Sequence, residues 1–175
     1  MFTNNARIIV TGIFIALQVF FIYQHVYALA ALAWLFIGLL IWGYFKEGTV
    51  ILAAKSFHNK DYEKAELLLK QVGKPAWLSK KRRGFYEFIM GGICLQKQDF
   101  DAAEKHYELA AQYPLRSAND HVAALVHVAN ISIRLGNYDK AEAYLQLTNK
   151  HEEKITAKMK DVIVRLYQEL HVGRD

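Results

Sequence analysis

Asp61-Tyr62-Glu63-Lys64-Ala65-Glu66 decides the fold, because the chain writes it again as Asp99-Phe100-Asp101-Ala102-Ala103-Glu104 and a third time as Asn137-Tyr138-Asp139-Lys140-Ala141-Glu142. The alanines at 65, 103 and 141 stand 38 residues apart both times. A period held without slippage marks an array of like units, each too small to bury its own apolar face and stable only when stacked on its neighbours.

Working outward, each copy opens the second helix of a pair. The spacing predicts helices at 48–58 and 62–72, then 80–97 and 100–112, then 118–135 and 138–149. Asp61, Asp99 and Asn137 are N-cap residues, and the acidic side chains just after them suit the positive end of the helix dipole. Tyr62, Ala65 and Leu69 share one helical face, as do Phe100, Ala103 and Tyr107, and Tyr138, Ala141 and Leu145. An aromatic, a small and a large residue at those intervals make a buried stripe whose alanine lets a neighbouring helix come close.

With these residues in view, the chain resembles the tetratricopeptide repeat family. Gly136-Asn137-Tyr138 with Ala141 matches the family's turn and the alanine that follows it; Asp99-Phe100 with Ala103 and Asp61-Tyr62 with Ala65 match in part. The family's small first-helix position falls on Ala53, Gly91 and Ala129, and Pro114 corresponds loosely to its closing proline. The likeness covers about 48–150. Two departures stand out: the period exceeds the family's usual ~34 residues, which implies longer connections between repeats, and the usual tryptophan at position four is missing from every copy. After the repeats, Ile155, Met159, Val162, Ile163, Leu166 and Leu170 form one apolar stripe, predicting a capping helix over about 151–171 that covers the last exposed repeat face.

The amino-terminal part has a different character. Apolar residues make up 53 % of the chain while the mean hydropathy is close to zero, so they must be concentrated somewhere. Arg7 is the sole charged side chain of the first 45 residues; the remainder carries 21 basic and 17 acidic ones. The apolar run 8–45, broken by Thr11, Gln18, Gln24 and His25, would be about 57 Å long as one helix, against roughly 30 Å of bilayer hydrocarbon. It is therefore expected to fold as a two-helix transmembrane hairpin turning near 23–27. Tyr23 and Tyr27 flank the turn, and Trp42, Tyr44 and Phe45 mark the far end, at headgroup level; Trp34 falls mid-span and is assigned to helix packing. Gly12 and Ala16, four apart, would permit close helix approach, though ordinary small-residue filling is the plainer reading. A cleavable leader ending near Ala28-Leu29-Ala30 competes, but a further apolar run follows at once. Arg7 lies before the first span, and Lys46, Lys55 and Lys60 after the second, while the turn carries no cation; this places both termini and the repeat domain on the cytoplasmic side, in a membrane such as the bacterial inner membrane. Lys46-Glu47-Gly48 is the short link, Gly48 a candidate kink.

Chemistry is sparse. No phosphate-binding loop, dinucleotide fingerprint or His-Glu-x-x-His pattern is present, so neither cofactor, metal nor enzyme activity is expected. Cys94 excludes an intramolecular disulfide by being alone and reads as a small core residue. The seven histidines show no pairing at four-residue spacing, and Gly91-Gly92 inside a helix is better explained by tight packing than by phosphate.

Two surfaces remain. The resemblance implies that the first helices of the repeats line a concave groove, placing Phe57, Phe85, Phe88, Leu95, Val126, Asn130, Ile133 and Arg134 where a peptide partner would be anchored through apolar contacts. The clamp that some members use for a C-terminal carboxylate is not matched, because Val126 stands where a lysine is needed. The capping helix or the chain itself filling that face is the competing reading. Separately, Lys80-Lys81-Arg82-Arg83, with Trp77 just before it, is either a solvated loop or a contact for lipid headgroups or an acidic partner; nucleic acid is not expected at this modest net charge of +5. The chain is thus expected to be all-α, with a transmembrane hairpin at 1–46 and a three-repeat helical array with its cap at 47–175. It would act as a membrane-anchored scaffold for a protein partner or, alternatively, as an accessory subunit that meets a membrane complex mainly through the hairpin.

Overall fold

The computed structural model describes the backbone of residues 4–174 and the side chains of all of these except 4–9, 11, 30 and 40–47. The described chain is helical throughout: α1 (Asn4–Tyr23), α2 (Tyr27–His58), α3 (Tyr62–Lys70), α4 (Lys80–Gln96), α5 (Phe100–Gln112), α6 (Ala118–Arg134), α7 (Tyr138–Thr148) and α8 (Ala157–Arg174), with short 3-10 segments at Pro75–Trp77 and Asn149–Lys154. It divides into two compact units, residues 1–49 and 50–175.

The first unit is a helical hairpin. Its turn is Gln24-His25-Val26, with His25 left-handed at φ 56°. The Val26 N–H donates to the Phe21 carbonyl and the His25 N–H to that of Ile22, the pair of bonds that closes a helix over one left-handed residue. Phe14 stacks on Phe36 with centroids 5.7 Å apart, and Gln18, Ala33 and Ile37 are buried. One expectation changes here: Trp34, assigned to helix packing, is 63 % exposed within this unit. Nothing lies within 4 Å of where a Cβ on Gly12 would stand, which leaves the plainer of the two readings of that glycine. Among the described residues no helix is long and apolar enough to cross a membrane. The apolar run continues through 40–45, and its terminal aromatics Trp42, Tyr44 and Phe45, like the flanking Arg7 and Lys46, lie outside the described side chains. The link at 46–48 is helical, part of α2.

In the second unit the three repeats are built on one local device. Lys60, Gln98 and Gly136, 38 residues apart, are the left-handed residues at φ 63°, 62° and 76°. Each is followed by Asp61, Asp99 or Asn137, whose N–H bonds back to the Ser56, Cys94 or Ser132 carbonyl and whose own carbonyl starts the next helix. One residue therefore ends a helix and the next begins another, so consecutive helices must fold back on each other. The Asp61 and Asp99 carboxylates accept from the N–H groups of Lys64 and Ala102; Asn137 makes no such side-chain bond.

Stacking follows from the small residues. Ala65, Ala103 and Ala141 are fully buried, as are Ala53 and Ala129 at the first-helix position, with Gly91 between them in the series. A Cβ on Gly91 would lie 3.0 Å from the Tyr107 ring, and one on Gly92 would collide with the ring of Phe57, so packing accounts for the glycine pair. Helix α4 packs on α5, α5 on α6 and α6 on α7. Because the connection 113–117 is short, the long period is not carried by connections alone; α4 and α6 are each 17 residues long. The cap begins later than the sequence implies: Asn149–Lys154 is 3-10 and α8 starts at Ala157, where Thr156 bonds through its N–H and hydroxyl to Asn119 Oδ1. Ile163, Leu166 and Leu170 then bury against Val122, Val126 and Leu145 of α6 and α7.

Candidate functional site

A cleft of about 300 Å³ opens where the ends of α4 and α6 meet the start of α5. Leu95 and Gln96 come from the last turn of α4, Gln98 from the left-handed turn, and Phe100 from the first residue of α5; His127, Asn130, Ile131 and Arg134 come from one face of α6. The turn chemistry makes the site, since the single-residue reversal at Gln98 brings Phe100 beside Leu95. Arg134 is exposed; its guanidinium lies 5.9 Å over Phe100 and its Nε donates to Asn130 Oδ1 at 3.4 Å. The wall therefore offers apolar floor from Leu95, Phe100 and Ile131, amide donors and acceptors, and one fixed positive charge.

Behind the cleft is an aromatic stack. The His127 ring lies parallel to Tyr107, centroids 4.5 Å apart, and Phe88 meets Tyr107 edge-on at 5.5 Å. Burial holds the imidazole below its ordinary pKa and raises the Tyr107 phenol, because neither can carry charge there without losing water. Both therefore stand neutral near pH 7, as a rigid backing rather than proton donors. Burial likewise raises the Cys94 thiol, with the Asp99 carboxylate adding to the effect, which makes it a poor nucleophile. His121 and His151 lie 5.1 Å apart; burial, then its partner's ring, lowers His121. Among the described residues no group of three or more histidine, cysteine or acidic side chains could hold a metal.

Of the residues assigned to the groove, Leu95, Asn130 and Arg134 share this cleft. The others serve packing: Phe57 meets Tyr62 at 5.4 Å and lies with Phe85 against the first-repeat core, Phe88 joins the stack on Tyr107, Val126 is buried beneath the cap, and Ile133 packs at the same cluster. Gln96, Gln98, Phe100, His127 and Ile131 line the cleft without having been assigned to the groove from sequence. His127, Asn130, Ile131 and Arg134 share one face of α6, so helical periodicity could have added the histidine to the two residues that the family resemblance placed there; Gln98 and Phe100 enter only through the turn.

The basic run does not act as one patch. Lys80 and Lys81 are exposed, whereas Arg83 turns inward to Glu87 at 2.6 Å. Glu87 is buried and its other oxygen meets His106 Nδ1, also at 2.6 Å. Arg83 is thus a structural cation, withdrawn from the contact surface assigned to it. Trp77 is exposed, with the Lys74 ammonium 4.7 Å above its ring. A second depression, about 530 Å³, lies between Gly136–Lys140 and Arg174, where Arg174 grips Asp139 and Glu142 at 2.7 and 2.8 Å.

Residues 44–165, more than half of the chain, match the family described as the SusR N-terminal TPR domain. The match spans the three repeats and much of α8. No curated protein and no solved structure matches.

Proposed function

The chain belongs to the SusR N-terminal TPR domain family, and from that premise we propose that it is a membrane-anchored scaffold which holds a protein partner in the cleft between α4 and α6. The carrying observation is the cleft itself: Leu95, Phe100 and Ile131 for an apolar side chain, Asn130 and Gln98 for backbone amides, and Arg134 for an acidic group of the partner, on a wall stiffened by the His127–Tyr107 stack. Anchoring is supported by the charge-free run 8–45 and by the outward-facing side chains of the hairpin, which include Val19, Phe20, Trp34 and Leu35 at more than half exposure. A helix that is apolar all round needs an apolar surrounding. The cytoplasmic placement of both termini rests on the distribution of cations alone.

The cleft is tested by placing a photo-crosslinking residue at Arg134 in the full chain in native membranes. An adduct of one discrete mass, absent when the crosslinker stands at exposed Glu153, supports it; no adduct, or the same adducts from both positions, overturns it. Carbonate extraction of the full chain tests the anchor, since release into the supernatant rules it out.

The exposed apolar faces of the hairpin favour a second reading, an accessory subunit seated in a membrane complex through α1 and α2. A crosslinker at Trp34 that captures a protein, beside a silent one at Arg134, would select it.

A further inference from the structure

We infer that the Lys74–Lys81 segment is a docking surface for an anionic lipid leaflet, with Trp77 as its interfacial anchor. The stretch 67–86 contains six basic residues and no acidic one. The fold sorts these cations. Lys70 is paired with Glu66 and Arg83 with Glu87, but no ion pair to Lys74, Lys80 or Lys81 exists among the described residues. Lys74 instead sits over the Trp77 ring.

The geometry of Trp77 is the second line of argument. Pro75 opens a 3-10 turn, and the Trp77 and Leu78 N–H groups bond back to the Lys74 and Pro75 carbonyls. Leu78 is buried in the first-repeat core and pins the turn, while its neighbour Trp77 is left 59 % exposed. A pinned, outward indole flanked by unpaired lysines has the composition of a membrane-interface contact: the ring is amphipathic and settles at headgroup depth, and the ammonium groups meet lipid phosphates. An acidic peptide would need a groove to set its register, and neither cleft described above includes these residues. The surface rests on the anchoring reading in one respect: the hairpin tethers this segment within about 30 residues of the bilayer, raising its effective concentration there.

Two full-length variants with one tryptophan each separate the two ideas. Trp77 alone (Trp34→Phe, Trp42→Phe) reports the surface; Trp34 alone (Trp42→Phe, Trp77→Phe) reports the hairpin. Each is measured in vesicles of phosphatidylcholine and of an equimolar phosphatidylcholine–phosphatidylglycerol mixture, with brominated acyl chains as quencher. The expected result is a blue shift and quenching of Trp77 in the anionic vesicles, lost on adding salt and reduced about tenfold or more in Lys80→Glu/Lys81→Glu. Glutamates in the first turn of α4 suit the helix dipole, so that loss cannot be put down to unfolding. Trp77 emission that is the same in both vesicles, that survives charge reversal, or that answers to polyglutamate and not to the anionic vesicles overturns the proposal. Quenched Trp34 beside a silent Trp77 leaves the anchor standing and removes the surface; the reverse pattern removes the anchor and keeps the surface.

Discussion

Lys140, the fourth residue of the third repeat's motif, reaches back to Glu104, the sixth residue of the second, at 2.7 Å, and shares its ammonium with Glu108 at the same distance. The relationship recurs down the array. Glu66 meets Lys97 at 2.6 Å, and Glu142 meets Arg174 of the cap at 2.8 Å. The motif's last glutamate is thus a coupling residue, tying each repeat to the next. Burial opposes the charge on Lys140, but its bonds to Glu104 and Glu108 outweigh it and raise the ammonium pKa.

The links differ in environment. Glu104 is buried and also accepts from the Ser132 hydroxyl, so truncating it leaves that buried hydroxyl without its acceptor, while Lys140 loses one of its two carboxylates and keeps Glu108. Glu104→Ala is expected to lower unfolding stability by about 2 kcal/mol, from the lost pair and an unsatisfied hydroxyl. Glu66→Ala, whose partner Lys97 lies in solvent, should change the urea midpoint less. Equal losses would show that burial does not set the strength of these links.

Gly136 is the only glycine at the three equivalent left-handed positions. A side chain there strains the backbone by about 1 kcal/mol. Gln98→Gly and Lys60→Gly are expected to raise thermal stability by about 0.5–1 kcal/mol each, and Gly136→Ala to lower it by about 1 kcal/mol.

Gly92 sits where a methyl group would meet the Phe57 ring. Gly92→Ala gains about 1 kcal/mol of helix propensity but overpacks by about 1–3 kcal/mol, a net loss near 1 kcal/mol. If sterics are the cause, the double variant Gly92→Ala/Phe57→Leu recovers part of that loss in a denaturation cycle.

Protonation of His127 should weaken the fold in mild acid. Its folded pKa is depressed by burial, so below the unfolded value of about 6.5 the unfolded chain takes up the proton first. The stability present above that pH falls as pH drops towards the folded pKa. His127→Phe, which keeps a stacked ring against Tyr107, should flatten the melting-temperature profile between about pH 7 and 5. A profile identical to wild type would assign the acid sensitivity elsewhere.

Much of this architecture is legible in residue order because it is locally encoded. The recurrence of Asp-Tyr/Phe and alanine names helix starts and buried faces, since caps and small residues act within one or two turns. The paired break at Gln24-His25 placed the hairpin turn for the same reason. The site was read less completely. The family resemblance puts Phe85, Phe88 and Val126 in the groove, yet the neighbouring helices claim them for packing; Arg83 belongs by sequence to a basic patch, yet Glu87, one turn on, draws it inward.

Residue order by itself determined the repeat, its register, the stripe that docks the cap and the charge-free run 8–45 with its turn, because each follows from helical periodicity and the chemistry of single positions. Tertiary structure alone decided which partner each side chain meets: that Glu104 finds Lys140, that Gln98 and Phe100 border a cleft with Arg134, and that Trp77 faces outward while Leu78 is buried. Those outcomes depend on how helices far apart in sequence share a limited interior, a competition that no local pattern records.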